Sequence, residues 1–255
     1  MKEEYLLKDI IEKYNLQQFY KDLDEFHVTL TDSQVKQFLL YYEMLIEKNK
    51  VVNLTAITDF AEILKKHFID SLSLVKACDL NNSENDISLI DIGTGAGFPG
   101  IPLKIAFPNL KITLMDSLNK RVDFLNEVIN VLKLDGISTI HGRAEDYARP
   151  GQLREKYDLC VSRAVANLST LTEYCLPYVK LGGKFISYKS EKITEEMKDA
   201  EYAINLLGGK VEEQISFMLP DSELYRTLFV VVKNNITPEK YPRKAGMASK
   251  KPLHE

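Results

Sequence analysis

The sequence predicts an α/β fold, a mostly parallel seven-stranded sheet behind an N-terminal helical cap. Three observations carry this. Apolar residues recur at helical spacing through residues 1–75. From residue 87 onward, short β-rich runs alternate with helical stretches, the pattern of a parallel sheet covered by helices. The last two β-rich runs are separated by a short connection. A parallel crossover needs roughly a dozen residues, so these two form a C-terminal antiparallel hairpin.

The elements follow in order. LLKDIIEKYNL carries an apolar stripe at helical spacing. TDSQVKQFLLYYEMLIEKNK opens on Thr31, Asp32 and Ser33, good N-cap residues, and continues as a second helix. VVNLTAI breaks the periodicity before a third helix, FAEILKKHFIDSLSLVKAC. ISLIDI, KITLMD, ISTIHG, YDLCVS and GKFISYK read as strands. PLKIAF, KRVDFLNEVINVLKL, a short stretch around AEDYARPGQLREK, and LSTLTEYCLPYVK read as the helices between them. KITEEMKDAEYAINLLGG then leads into KVEEQISFML and YRTLFVVVK, joined through PDSELY. The expected division is residues 1–75 as helical extension, 76–236 as core and 237–255 as a basic tail.

Bulk properties exclude several classes. A chain of 255 residues with 45% hydrophobic and 27% charged residues is an ordinary globular composition. A formal net charge of -4 argues against a generic polyanion binder, so a nucleic-acid site must be a local basic patch. The tail offers one: from Lys233 to His254, six Lys or Arg stand against a single Glu. Its composition fits a solvated end as well as a phosphate-binding arm. Cys78, Cys160 and Cys175 show no C-x-x-C spacing, so neither a disulfide framework nor a metal site is expected. The N-terminus lacks a signal-peptide core, and no apolar run approaches the roughly 20 residues of a membrane span. A cytoplasmic monomer, off the membrane, is the expectation.

LIDIGTGAGFPGIP, at residues 89–102, is the chemical centre of the sequence. Gly93, Gly95 and Gly97 permit a sharp turn and a close approach of ligand to backbone. The following helix, expected to start near Pro102, offers free N–H groups to an anion. From Gly93 the loop reads G-x-G-x-G, as in S-adenosylmethionine (SAM) enzymes. From Gly95 it reads G-x-G-x-x-G, as in dinucleotide enzymes. Asp116, at the end of the next strand, suits the ribose hydroxyls of either cofactor. Three features favour SAM. Asp91 stands two residues before Gly93, within reach of a methionine amino group. The closing hairpin matches the strand inventory of SAM-dependent methyltransferases. HGRAED places Glu145 and Asp146 where an adenine amino group would lie.

The methyl acceptor can be narrowed. Adenine-N6 enzymes carry an acidic or Asn residue, two prolines and an aromatic after the fourth strand, where this chain reads Ser162-Arg163-Ala164-Val165. Cytosine-C5 chemistry needs a thiolate nucleophile, and Cys160 and Cys175 fall inside a strand and a helix. Nucleophilic nitrogen or oxygen remains. Arg163 and Lys189 are candidates for the active site because both end strands at the edge where open α/β sheets bind ligands. His67 and Asp70 share one helical face.

The chain resembles, from end to end, the bacterial glucose-inhibited division protein B family of 16S ribosomal RNA guanine-N7 methyltransferases. The resemblance rests on Asn53-Leu54-Thr55, His67-x-x-Asp70-Ser71-Leu72 and the long glycine loop from Asp91 to Pro102. It rests also on Asp116-Ser117-x-x-Lys120-Arg121, Gly142 to Asp146, Ser162-Arg163-Ala164, and Tyr241 to Gly246. It implies a Rossmann-like class I SAM-dependent methyltransferase fold. It implies SAM bound at Gly93, Phe98, Ala144, Glu145 and Arg163, which join Asp91, Gly95, Gly97 and Asp116 of the loop reading, and Ser117 beside Asp116, as the expected cofactor-binding set. The implied acceptor is N7 of one guanine in 16S rRNA, as free RNA or in the small ribosomal subunit. Asn53, His67 and Lys189 would join Arg163 at the active site, and Arg226, Arg243, Lys244, Lys250 and Lys251 would hold the RNA. The chain departs from the family pattern at Ser190, where Gly usually follows the lysine, and at Ala248. Readings from other classes are a SAM enzyme for tRNA or a small molecule, a non-catalytic RNA-binding factor that keeps the fold, and an NAD oxidoreductase.

Overall fold

In the computed structural model, residues 10–80, 86–163, 166–190 and 194–254 are described. The first residues of the expected N-terminal helix, and Ala164 of the Ser-Arg-Ala run, lie outside these.

The described part opens on a helical turn at residues 10–12, followed by two helices, α1 (Gln17–Glu25) and α2 (Asp32–Asn49). Thr31 starts α2 with a capping box: its hydroxyl accepts from Gln34 N, and the Gln34 side chain accepts from Thr31 N. The amide of Gln34 then donates to the carbonyls of Ile105 and Ala106. This fastens α2 to α3 (Gly100–Ala106), the helix behind the glycine loop. The third predicted helix is composite. It runs through Phe60–Ile63 as α-helix, Leu64–Ile69 as π-helix, Asp70–Leu72 as α-helix and Ser73–Lys76 as 3-10 helix.

The sheet has seven strands in the order β3-β2-β1-β4-β5-β7-β6. They are β1 (Ser88–Ile92), β2 (Lys111–Asp116), β3 (Ile137–His141), β4 (Tyr157–Arg163), β5 (Val179–Lys189), β6 (Gly209–Met218) and β7 (Tyr225–Lys233). The first five are parallel, and β7 runs antiparallel to both β5 and β6. Strand order reverses between β1 and β4, where open α/β sheets bind ligands at the carboxyl ends. Alternation along β1 sends Leu89 to one apolar layer and Ile90 and Ile92 to the other. The first layer holds the N-terminal helices, α3 and α4 (Asn119–Leu132). The second holds α6 (Leu168–Cys175) and residues of α7 (Thr194–Leu206).

The short helical stretch expected around AEDYARPGQLREK is α5 (Ala144–Tyr147), which ends ahead of Pro150 and Gly151. The structure revises three local expectations. The helix after the glycine loop starts at Gly100, before Pro102. The helix expected over LSTLTEYCLPYVK ends at Cys175, and Val179 already begins β5, which is longer than GKFISYK. The tail is packed against the core: Tyr241 and Ala248 are buried, and the short helix α8 (Met247–Lys250) lies in it.

Candidate cofactor and active site

The carboxyl ends of β1, β2 and β4 open into a cavity of about 540 Å³, a size typical of small-molecule sites (roughly 300–1,000 Å³). Its floor is the glycine loop. Gly93, Gly95 and Gly97 all have positive φ, at 72°, 63° and 108°, values that side chains rarely adopt. At Gly95 a Cβ would meet no atom within 4 Å, so the loop leaves room there for a ligand. At Gly97 a Cβ would stand 2.6 Å from Ile101 and 2.8 Å from the Tyr41 hydroxyl. One glycine serves the ligand and the other serves packing.

Two carboxylates hold this loop. Asp91 is fully buried, and its Oδ2 accepts from Thr94 Oγ1 at 2.7 Å and Gly100 N at 2.9 Å. Its Oδ1 is buried and has no hydrogen-bond partner. Burial raises the Asp91 pKa to about 6 against these two hydrogen bonds. Asp116 lines the cavity and accepts from Gly95 N and Leu118 N, while Arg121 lies 3.3 Å away. Tyr41, from α2, donates to Ala96 O at 2.6 Å. The helical extension thus braces the loop directly.

The opposite wall is built around Arg163. Its guanidinium lies 4.9 Å from the Phe98 ring centroid, a cation–π distance. Nη1 donates to Asp70 Oδ2 at 2.9 Å and Nη2 contacts His67 Nδ1 at 3.2 Å. His67 stacks on Phe98 with centroids 4.5 Å apart. An arginine only donates, so His67 Nδ1 is the acceptor and the ring proton sits on Nε2, 2.8 Å from Thr55 Oγ1. Burial, and then the charge of Arg163, lower the His67 pKa to about 3. The ring is neutral. Asp70 uses its other oxygen to accept from Arg226 Nε at 2.7 Å, so one buried carboxylate bridges two arginines.

The remaining wall comes from Ser117, Arg143, Ala144, Glu145 and Tyr174, with Leu54 and Thr55 at the helical side. The cavity therefore gathers Gly93, Gly95, Phe98, Asp116, Ser117, Ala144, Glu145, Arg163 and His67 from the sequence-derived set. Asp91 and Gly97 stand behind it. Asn53 is exposed beside Leu54, outside the lining. Lys189 also lies outside it, donating to Ala166 O and paired with Glu196 at 2.6 Å. Arg243 is paired with Glu173 at 2.5 Å, whereas Lys244, Lys250 and Lys251 are exposed.

Thr55, Tyr41, Arg121 and Tyr174 are brought to the site by the fold and are not among the expected site residues. Thr55 and Arg121 sat inside recognised motifs, but Tyr41 and Tyr174 look like any other residue of an amphipathic helix. Cys160 and Cys175 are fully buried, with burial raising the Cys160 thiol well above its usual range. The described residues contain no cluster of three or more His, Cys, Asp or Glu that could hold a metal. No helix among them is long and apolar enough to cross a membrane.

A glycine cradle with open space at Gly95, a buried orphan oxygen on Asp91, and carboxylates at Asp116 and Glu145 fit an adenosyl cofactor carrying an amino acid. Comparison with known proteins agrees. A SAM-dependent methyltransferase from Aquifex aeolicus shares the fold, with TM-score 0.50 and 17% identity over 72% of this chain and 97% of that one. The ribosomal RNA small subunit methyltransferase G of Lachnoclostridium phytofermentans is 54% identical over 92% of this chain and 96% of its own length. That of Alkaliphilus metalliredigens is 51% identical over 89% and 93%. The GidB family profile, described as rRNA small subunit methyltransferase G, matches residues 34–225. With the profile spanning most of the chain and relatives identical at half their positions, the protein belongs to the GidB family.

Proposed function

We propose that the protein is a SAM-dependent methyltransferase of the small-subunit ribosomal RNA, acting on N7 of a specific guanine in 16S rRNA. The observation that carries this is the open glycine cradle at the strand-order reversal, in a chain 54% identical to a small-subunit rRNA methyltransferase. SAM, when bound, supplies an electrophilic methyl group on a sulfonium.

Guanine N7 is an in-ring lone pair with no proton to lose, so attack on the methyl group needs no general base. The cavity wall agrees with such an acceptor. His67 is neutral with both ring nitrogens engaged, and both Asp116 oxygens accept loop N–H groups. The residues instead position. Arg163, fixed over Phe98 by Asp70 and His67, holds a permanent charge at a defined place on the wall. Alignment of this kind contributes up to about 7–11 kcal/mol in well-oriented systems. Thr55 fixes the His67 tautomer that lets Nδ1 face the guanidinium.

Asn53, Lys189 and Arg226 are assigned to the RNA side of the site, with Lys189 leaving Glu196 to reach it. The exposed tail lysines Lys244, Lys250 and Lys251 hold phosphates, while the cavity selects the base.

The test is transfer of labelled methyl from SAM to small subunits lacking the modification and, separately, to naked 16S rRNA, followed by nucleoside digestion. Label in 7-methylguanosine is expected. Label in another nucleoside would overturn the acceptor, and SAM binding without label in either RNA would overturn the activity.

A further inference from the structure

We propose that the C-terminal strap, Tyr241 to Lys250, is a positioning element of the cofactor site, setting the Glu145 carboxylate that reads the adenine amino group. This rests on the reading of Glu145 as an adenine contact.

Glu145 lines the cavity yet is only 4% exposed. Its Oε1 accepts a hydrogen bond from Gly246 N at 2.7 Å, 101 residues away in the chain. No hydrogen bond among the described residues uses Oε2, which leaves that oxygen for a donor in the cavity. A carboxylate fixed at one oxygen by a backbone N–H keeps the other in a defined direction. Gly246 itself has φ 79°, and this left-handed turn starts α8.

The strap is held firmly enough to do this. Glu173, 1% exposed, accepts from the Arg243 backbone N–H and guanidinium. Arg149 donates to the Pro242 carbonyl at 2.6 Å and Arg154 to the Tyr241 carbonyl at 2.8 Å. Thr170 donates to the Ala248 carbonyl. Glu173 and Thr170 belong to α6, which also supplies Tyr174 to the cavity wall. Strap and cavity therefore share one helix and one carboxylate.

The chemistry supplies a readout that general destabilisation does not. An adenine amino group donates to a carboxylate, whereas hypoxanthine presents an acceptor oxygen there and is rejected. The experiment measures calorimetric affinities of S-adenosylhomocysteine and S-inosylhomocysteine for the full-length protein without RNA. Gly246→Pro removes the N–H and, because proline cannot adopt a positive φ, the left-handed turn that presents it; Glu145→Ala removes the carboxylate. In both variants we expect the adenosyl-over-inosyl preference to fall about tenfold or more, the loss of one charge-assisted hydrogen bond. A wild-type preference in Gly246→Pro, with the preference lost in Glu145→Ala, would overturn the strap's role and keep the Glu145 reading. A wild-type preference in Glu145→Ala would overturn the Glu145 reading, and the proposal with it. Where Gly246→Pro does not fold, Glu173→Ala releases Arg243 and is read by the same ratio, with the same two outcomes.

Discussion

Asp70 accepts from Arg163 and Arg226 at once, and both arginines are mostly buried. Taking the charge from one partner of a buried ion pair leaves the others uncompensated, at a cost of several kcal/mol. Asp70→Asn should therefore lose on the order of 3 kcal/mol in urea unfolding. It should also weaken SAM binding, because Arg163 loses its anchor over Phe98. Asp91 and His67 make a second, pH-dependent case. Asp91 titrates near pH 6 and His67 near pH 3 in the free protein. A ligand ammonium favours the ionised carboxylate and so lowers the Asp91 pKa in the complex. Binding then releases a proton below about pH 6, so SAM affinity should rise from pH 5 to about pH 6 and level off above it. His67 stays neutral throughout that window and adds no slope. Calorimetry from pH 5 to 7 checks this, and Asp91→Asn should flatten the curve; a slope unchanged in that variant would show the titrating group to be another. The placement of Asp116, Glu145 and Arg163 on the cavity, with Asp91 behind the loop, is legible because these residues are tied to strand ends and the glycine motif. The contacts of Tyr41 and Gly246 are not. Their partners lie 55 and 101 residues away, and no local pattern announces such a contact.

At the scale of the element, the glycine loop divides its work between ligand and scaffold. Gly95→Ala places a methyl group in open space. The left-handed φ costs about 1–2 kcal/mol, so the variant should fold yet lose SAM affinity through the filled cradle. Gly97→Ala collides with Ile101 and Tyr41 and carries a φ of 108°. Overpacking and backbone strain together should cost about 3 kcal/mol, and thermal unfolding should show it before any binding assay does. Equal losses of stability in the two variants would contradict this division. The strands were legible because β-rich runs alternate with helices, and the hairpin because its connection is too short for a crossover. The π-helical turns at Leu64–Ile69 were not, since the apolar spacing there suits either helix. Those turns carry His67 and the Lys66 carbonyl to Arg163. The irregularity thus sits where the extension meets the cavity, as π-bulges commonly do at functional sites.

At the scale of the whole molecule, the tail's charge divides into a pinned part and a free part. Composition counts Arg243 with the lysines, but Glu173 on α6 takes its guanidinium, and Lys233 is buried against Glu155 and Thr237. The exposed charges are Lys240, whose ammonium lies over the Tyr241 ring, and the set Lys244, Lys250 and Lys251. If these hold phosphates, each contact releases condensed counterions, at roughly 0.7 per phosphate for single-stranded nucleic acid. Replacing all three by alanine should reduce the slope of log affinity against log salt by about 2 for 16S rRNA. Affinity should fall by a similar factor for unrelated RNA, because phosphate contacts carry no sequence information. SAM binding without RNA should remain at the wild-type level: Lys244 and Lys250 lie in the strap, but their side chains are exposed, none of the strap's holding contacts uses them, and none of the three lines the cavity. Arg243→Ala should behave differently: it strips the partner from Glu173, loosens the strap at Glu145, and lowers SAM affinity in the absence of RNA. Filter binding at several salt concentrations, with calorimetry on the same preparations, separates the two. A salt slope unchanged in the triple variant would move the RNA contact from the tail to another surface.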